Sequence, residues 1–138
     1  MNFNGAKVFS CTKAREREEL GNVISRWIGA NPQKLITSYD IRQSSDREYH
    51  CLSITVFYWD LQEAAPPFEM TNMMFGVQTF SATKAHERED IGDIITAWIR
   101  GNPKVDVKGR FVLQSSDQAF HCLSIVMVYE GIEEKPPT

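Results

Sequence analysis

Hydrophobic residues recur at helical spacing in two segments of the chain. In the first segment they are spaced i, i+3, i+4, i+7 and i+8: Leu20, Val23, Ile24, Trp27 and Ile28. The second segment repeats the spacing with Ile91, Ile94, Ile95, Trp98 and Ile99. Such a stripe lies on one face of an amphipathic helix, so each segment predicts a helix. The Asn-Pro pairs at residues 31–32 and 102–103 are expected to end these helices.

Shorter β-like segments flank each predicted helix. A short strand, AKVFSCT or VQTFSAT, precedes it, and a weaker strand, KLITSYDIRQ or VDVKGRFVLQ, follows it. A more apolar strand, EYHCLSITVFYW or AFHCLSIVMVYE, comes last, joined through SSDR or SSDQ as a hairpin. Because the last strand is the most apolar, we expect it at the centre of a three-stranded antiparallel sheet in the order 1-3-2. A right-handed crossover would lay the helix on one face.

The two sets of elements correspond to an internal duplication. A shift of 71 positions aligns residues 1–67 with residues 72–138 without a gap, and 27 of the 67 pairs are identical. Residues 68–71 fall outside the alignment and are the predicted joint. The sequence therefore predicts an α+β fold made of two βαββ units. Because one unit alone has little core, we expect the two to pack together with pseudo-twofold symmetry, as stacked sheets or as one continuous sheet.

Alternation along the last strand separates its two faces. Leu52 and Ile54, with Leu123 and Ile125 in the second unit, are expected to be buried beneath the helix. Cys51 lies on the opposite face, which we expect to be buried between the units. Each predicted helix also has a glycine near its middle, at residues 21 and 92, which predicts a close approach of the helix to a neighbouring element.

Polar residues that are identical in the two units concentrate at one end of each. The first strand ends where the helix begins, and the hairpin between the last two strands lies at that same end, so these side chains should converge. The candidate ligand-binding residues of the first unit are Lys13, Arg17, Ser44, Ser45, Asp46 and His50. Those of the second unit are Lys84, Arg88, Ser115, Ser116, Asp117 and His121. We expect each aspartate to have the lysine or arginine of its own unit as its ionic neighbour.

This polar cluster has two interpretations. In one, the serines and aspartates shape the hairpin turn and the charged groups pair with one another. In the other, the helix N-terminus with its lysine, arginine and hydroxyls binds a small anion or polar ligand. No glycine-rich phosphate loop accompanies it. Cys51 and His50 are neighbours on a strand and point to opposite faces, so no catalytic residue is predicted within one unit.

Composition narrows the classes of function. A net charge of -3 and a pI near 5.6 make nucleic acid an unfavoured partner. Three cysteines without a disulfide-rich spacing suit reduced thiols, and no apolar run predicts a signal peptide or membrane helix. We therefore expect a soluble cytoplasmic protein without a membrane partner. No cofactor is indicated, and no CxxC or HxxxH spacing predicts a metal site.

The leading interpretation is a non-enzymatic binding or assembly module, built as a fused pseudo-dimer that associates further into a homo-oligomer. The alternative is a protein or enzyme that binds a small molecule or anion at the polar cluster of each unit.

Overall fold

The computed structural model describes residues 1–131 and confirms the tandem α+β architecture. The first unit contains β1 (Gly5–Cys11), α1 (Ala14–Ala30), β2 (Lys34–Ser45) and β3 (His50–Asp60). The second unit contains β4 (Gly76–Ala82), α2 (Ala85–Gly101), β5 (Asp106–Ser116) and β6 (His121–Glu130). Both sheets are antiparallel with the last strand central, in the orders β1-β3-β2 and β4-β6-β5. The predicted end of the second unit, residues 132–138, lies outside the described residues.

Each helix is bounded by residues that satisfy its terminal backbone groups. At the start of α1, the Glu16 carboxylate accepts a hydrogen bond from the backbone N–H of Lys13 at 3.3 Å. At its end, the Asn31 side-chain amide donates to the Trp27 carbonyl at 2.8 Å, just before Pro32. The equivalent residues do the same in α2. The helix boundaries therefore follow from local sequence signals.

The first sheet, formed by β1 to β3, packs one face against α1. Leu52 and Ile54 on β3 are fully buried there, as predicted, together with Leu20 and Ile24 of the helix. The ring of Trp27 contacts the rings of Phe9 and Tyr58, with centroids 5.6 and 5.8 Å away. This layer is the core of the first unit.

The second sheet, formed by β4 to β6, has a helix on each face. Helix α2 covers the face that carries Phe80, Met127 and Tyr129. The opposite face, with Val77, Val126 and Val128, belongs to the same core as α1. The layers therefore run first sheet, α1, second sheet, α2. Beside α1 the two sheets meet directly, where β2 lies against β5 and the rings of Tyr39 and Phe111 are 5.7 Å apart.

Contacts between the units are thus made by unlike surfaces. A twofold relation would place α2 against β1 as α1 lies against β4, but within residues 1–131 α1 lies extensively against β4 and no comparable packing joins α2 to β1. The pseudo-twofold symmetry expected from the sequence is not confirmed by these contacts. Neither a simple stack of sheets nor one continuous sheet is formed, because α1 is inserted between the two sheets.

This layering buries equivalent positions to different extents. Cys51 was expected between the units, and that prediction is wrong: it lies half-buried on the outer face of the first sheet, whereas its equivalent Cys122 is fully buried. Leu123 and Ile125 are only half-buried, because α2 is the outermost layer and no further element of residues 1–131 covers it. The prediction that all four apolar residues are buried therefore holds fully in the first unit only.

The segment between β3 and β4, which includes the predicted joint at residues 68–71, is held against β2 by the residues that follow the joint. The backbone N–H of Met73 donates to the Ile36 carbonyl at 2.7 Å, and the Ile36 N–H donates to the Asn72 side chain at 3.0 Å. Met74 is fully buried in the core around α1. The joint is therefore tied to the first unit before β4 begins.

Candidate functional site

In both units the helix start and the hairpin turn lie at the same end, as predicted. Arg17 Nη1 donates to the carbonyls of Thr12 and His50 at 2.7 and 3.3 Å, which ties α1 to the first residue of β3. In the second unit, Arg88 Nη1 donates in the same way to the His121 carbonyl at 2.9 Å. Each arginine thus bridges its helix to the hairpin of its own unit.

The aspartates of the turns do not pair with the cations expected from the sequence. In Asp46 and in Asp117 one carboxylate oxygen, Oδ1, accepts hydrogen bonds from two backbone N–H groups of its own turn. The remaining oxygen of Asp117 lies 3.3 Å from Nε2 of His50, which belongs to the other unit. Within residues 1–131, no ion pair joins either aspartate to Lys13, Arg17 or their equivalents. The neighbour of Asp117 across the interface is therefore a histidine.

Helix α1 lies antiparallel to strand β4, with one turn of helix matched to two residues of strand. Hydrogen bonds join them at three successive levels, among them Arg17 Nε to Ser81 Oγ at 3.0 Å, Gly21 N to Thr79 Oγ1 at 3.1 Å, and Ser25 Oγ to the Val77 carbonyl at 3.0 Å. Four helical residues rise about 6 Å and two strand residues about 6.6 Å, so the two elements stay in register.

Gly21 allows this close approach, which confirms the prediction for the first helix. A Cβ at this position would lie 2.7 Å from the Val77 carbonyl oxygen and 2.8 Å from Gln78 Cα. The Thr79 hydroxyl also lies 2.7 Å from the Arg17 carbonyl, so it bonds to the helix backbone on two sides. At the equivalent Gly92, a Cβ would meet nothing within 4 Å. The second glycine therefore has no close neighbour within the described chain.

A second strip of polar contacts joins β2 to the far side of the second sheet. Gln43 Nε2 donates to Ser115 Oγ at 2.9 Å and to the Cys122 carbonyl at 3.1 Å. Ser45 Oγ donates to the same serine hydroxyl and lies against His50 Nδ1. His50, at the end of this strip, is 5% exposed, so the strip is closed to solvent there.

The histidine and aspartate at the end of this strip differ in what shifts their pKa values. Burial lowers the pKa of His50, and the nearby Asp117 offsets part of that effect. Backbone N–H groups of Phe120 and Ala119 lower the pKa of Asp117. A neutral imidazole therefore faces a carboxylate at neutral pH. His50 Nε2 forms no hydrogen bond, so this contact is a close approach of the ring to the carboxylate.

The interface between the units is formed by two unlike surfaces, one on each unit. We call the α1 and β2 side of the first unit its helix surface, carried by Arg17, Gly21, Ser25, Gln43, Ser45 and His50. We call the face of the second unit that receives it the sheet surface, carried by Val77, Thr79, Ser81, Ser115, Asp117 and Cys122. The structure brings together five predicted residues here: Arg17, Ser45, His50, Ser115 and Asp117.

The other seven predicted residues stay outside the interface. These are Lys13, Ser44, Asp46, Lys84, Arg88, Ser116 and His121, and all but the partly covered Arg88 are exposed. Sequence reasoning did not name Gln43, Ser81 or Thr79 as site residues. Gln43 and Ser81 carried a signal, because both are identical to their equivalents, Gln114 and Ser10.

The arrangement offers little for catalysis. Cys51 points away from His50, and its Sγ lies 3.5 Å from Ser10 Oγ on the outer face of the first sheet. Burial raises the pKa of the Cys11 thiol to about 11, so this group is protonated at neutral pH. Within residues 1–131, no three His, Cys, Asp or Glu side chains gather closely enough to hold a metal ion. In the same part of the chain, neither helix has the length and apolar character needed to cross a membrane.

Neither a protein-family model, nor a curated protein, nor a solved structure matches this chain.

Proposed function

We propose that this protein is a non-enzymatic assembly module, in which the polar residues shared by the two units make protein–protein contacts. One observation carries the proposal: the shared residues of the first unit bond to shared residues of the second. Gln43 donates to Ser115, and His50 faces Asp117 across the same interface. Because the polar sequence is repeated, each unit carries both sets of residues, and the internal contact uses one set from each unit.

The alternative, a small-molecule or anion site, finds less support. Arg17 is 2% exposed, and its guanidinium group donates hydrogen bonds to two backbone carbonyls and to the Ser81 hydroxyl. The Glu16 carboxylate already stands at the start of α1, where an anion would bind. Polar groups that already form hydrogen bonds within the protein are poorly placed to bind a ligand. The exposed cations of this end are Lys13, Arg15 and Arg47, and Arg15 already pairs with Glu19.

A cytoplasmic location accords with the proposal. Cys11, Cys51 and Cys122 are free thiols, as expected in a reducing compartment.

Cleavage of the joint tests the proposal on the folded chain. A recognition sequence for a specific protease is inserted into the exposed segment at residues 64–68. After cutting, the two halves should co-elute at micromolar concentration. The double substitution Gln43→Ala with His50→Ala should let them separate, whereas the matched control, Gln114→Ala with His121→Ala, should leave them together.

Two results would contradict an assembly role. One is separation of the cut halves of the otherwise unchanged protein. The other is a rise in melting temperature with inorganic phosphate, a nucleotide or a divalent metal that disappears in the Asp117→Asn variant, which would favour a ligand site.

A further inference from the structure

The interface between the units leaves one copy of each surface without a partner. The sheet surface of the first unit is open: Val8 is 61% exposed, whereas the equivalent Thr79 is 2% exposed. The helix surface of the second unit is open as well, with Gly92 facing free space where Gly21 meets β4. Within residues 1–131, one chain therefore carries both unlike halves of the same interface, and neither half has a partner.

The geometry points to a second copy of this chain as the partner of both free surfaces, with α2 of one chain docked on the first sheet of the next. This inference rests on the proposed function, because it uses the same kind of contact between chains as within one chain. A contact between unlike surfaces is heterologous, and its repetition produces a closed ring or an open filament.

The polar groups of the internal interface are retained on the free surfaces. Their equivalents would pair Arg88 with Ser10, Gln114 with Ser44, and His121 with Asp46 of the neighbouring chain. All six residues are identical to those that make the internal contacts. Within residues 1–131, Nε of Arg88 has no partner, although Nε of Arg17 donates to Ser81. The helix surface of the second unit thus has a free N–H donor at the position where the helix surface of the first unit donates a hydrogen bond to the second unit.

Apolar residues that are exposed on the free surfaces have equivalents that are buried around the internal interface. Val112 on β5 is 68% exposed, while its equivalent Ile41 packs into the core around α1. Ile99 on α2 is also exposed, and its equivalent Ile28 packs against that core. Docking of a second chain would remove both side chains from water, which favours association.

Charge complementarity distinguishes the contact between chains from the contact within one. Tyr39 and Phe111 meet in the internal interface, and the equivalent positions hold Arg110 and Asp40. There, two uncharged residues are replaced by opposite charges on the two free surfaces. The free surfaces therefore attract each other.

Mixing two blocked variants tests the inference directly. Val8→Arg disables the sheet surface and Gly92→Leu disables the helix surface, so each variant alone should be monomeric. Each keeps the half that the other lacks, and an equimolar mixture should form a 1:1 dimer and stop there. Light scattering and sedimentation should find the unchanged protein in rings or filaments at the same concentration. Each single variant should weaken association at least about tenfold, or 1.4 kcal/mol.

The controls keep folding and association apart. Gly29→Leu makes the same change in α1 where a Cβ would meet nothing within 4 Å, and it should leave association unchanged. Arg110→Asp should weaken association and the added Asp40→Arg should restore it, which does not depend on the glycine variant folding well. Raising the salt concentration should also weaken association.

Three results would overturn the inference: a single-chain mass at every concentration of the unchanged protein, association that both blocked variants retain, or failure of the two variants to combine. If the two halves of the protease-cut chain still co-elute in any of these cases, the proposed function stands, and only the inference that a second copy of the chain is the partner is overturned.

Discussion

Gly21 of helix α1 and Thr79 of strand β4 are in such close contact that the threonine hydroxyl lies within bonding distance of three backbone groups of the helix, the Gly21 N–H and the carbonyls of Arg17 and Glu18. The equivalent pair, Gly92 and Val8, is separated, since each lies on a free surface. Matched substitutions at these positions therefore have opposite consequences.

Alanine at the two helical glycines should change stability in opposite directions. Gly92→Ala should raise the free energy of unfolding by about 0.5–1 kcal/mol, because alanine favours a helix and nothing stands near its methyl group. Gly21→Ala should lower it by about 1–2 kcal/mol, since the overlap with the β4 backbone outweighs that gain. Urea unfolding at low protein concentration measures both, and changes of equal sign would contradict the described approach of α1 to β4.

Thr79→Val should destabilise the protein by about 1–3 kcal/mol. The valine keeps the shape of threonine but leaves the Gly21 N–H without its side-chain acceptor in a buried contact. The reverse change at the equivalent position, Val8→Thr, should alter stability by no more than about 0.5 kcal/mol, because that side chain is exposed. Similar losses for the two substitutions in thermal or urea unfolding would argue against the difference between the surfaces.

Truncation of equivalent core leucines should also give unequal losses. Leu52→Ala removes a fully buried side chain and should cost about 2–5 kcal/mol. Leu123→Ala should cost at least about 1 kcal/mol less, because that side chain is half-buried under the outermost helix. Denaturant unfolding of the two variants tests this, and a larger loss at Leu123 would mean that α2 is covered.

A double-mutant cycle tests the contact between His50 and Asp117. The effects of His50→Ala and Asp117→Ala on the free energy of unfolding should not be additive, because the two side chains meet across the interface. The matched cycle on His121 and Asp46 should be additive at concentrations where the protein is a single chain. Additivity in the first cycle would show that the contact makes no energetic contribution.

Stability should fall as the pH is lowered through the ordinary histidine range. The pKa of His50 lies below its usual value of 6.5 in the folded protein, so below that pH the unfolded chain binds a proton that the folded chain resists. His50→Gln should flatten this dependence, whereas the control His121→Gln at an exposed site should preserve it. The lowered pKa of Asp117 adds a loss only at acidic pH, as its carboxylate becomes protonated. Equilibrium unfolding between pH 5 and 8 gives the slopes, and equal slopes in both variants would contradict this role of His50.

Much of each unit could be predicted from its own residues. The helical stripe, the alternation along β3 and the turn residues at Asp46 act over short distances, so they set the βαββ order in both copies. The convergence of Arg17 with the His50 backbone followed from topology alone.

The use of the site could not be predicted in the same way. His50 and His121 have the same neighbours in sequence, yet one is buried against Asp117 and the other is exposed. That difference arises because α1 is between two sheets and α2 is not, which is a property of how the units dock. The mid-helix glycines predicted a close approach of each helix to a neighbouring element. The residues around Gly21 and Gly92 did not indicate which helix would make that contact within the chain.

Because the two units are joined in one chain, the contact within the chain and the proposed contact between chains depend differently on protein concentration. Asn72 and Met73 bind the joint to β2, so β4 emerges beside the first unit and the internal contact forms at a fixed, high effective concentration. A contact between separate chains has no such tether and depends on the concentration in the cell. Dilution would therefore take an assembly apart only at the boundaries between chains, and each released piece would still contain one complete, occupied interface.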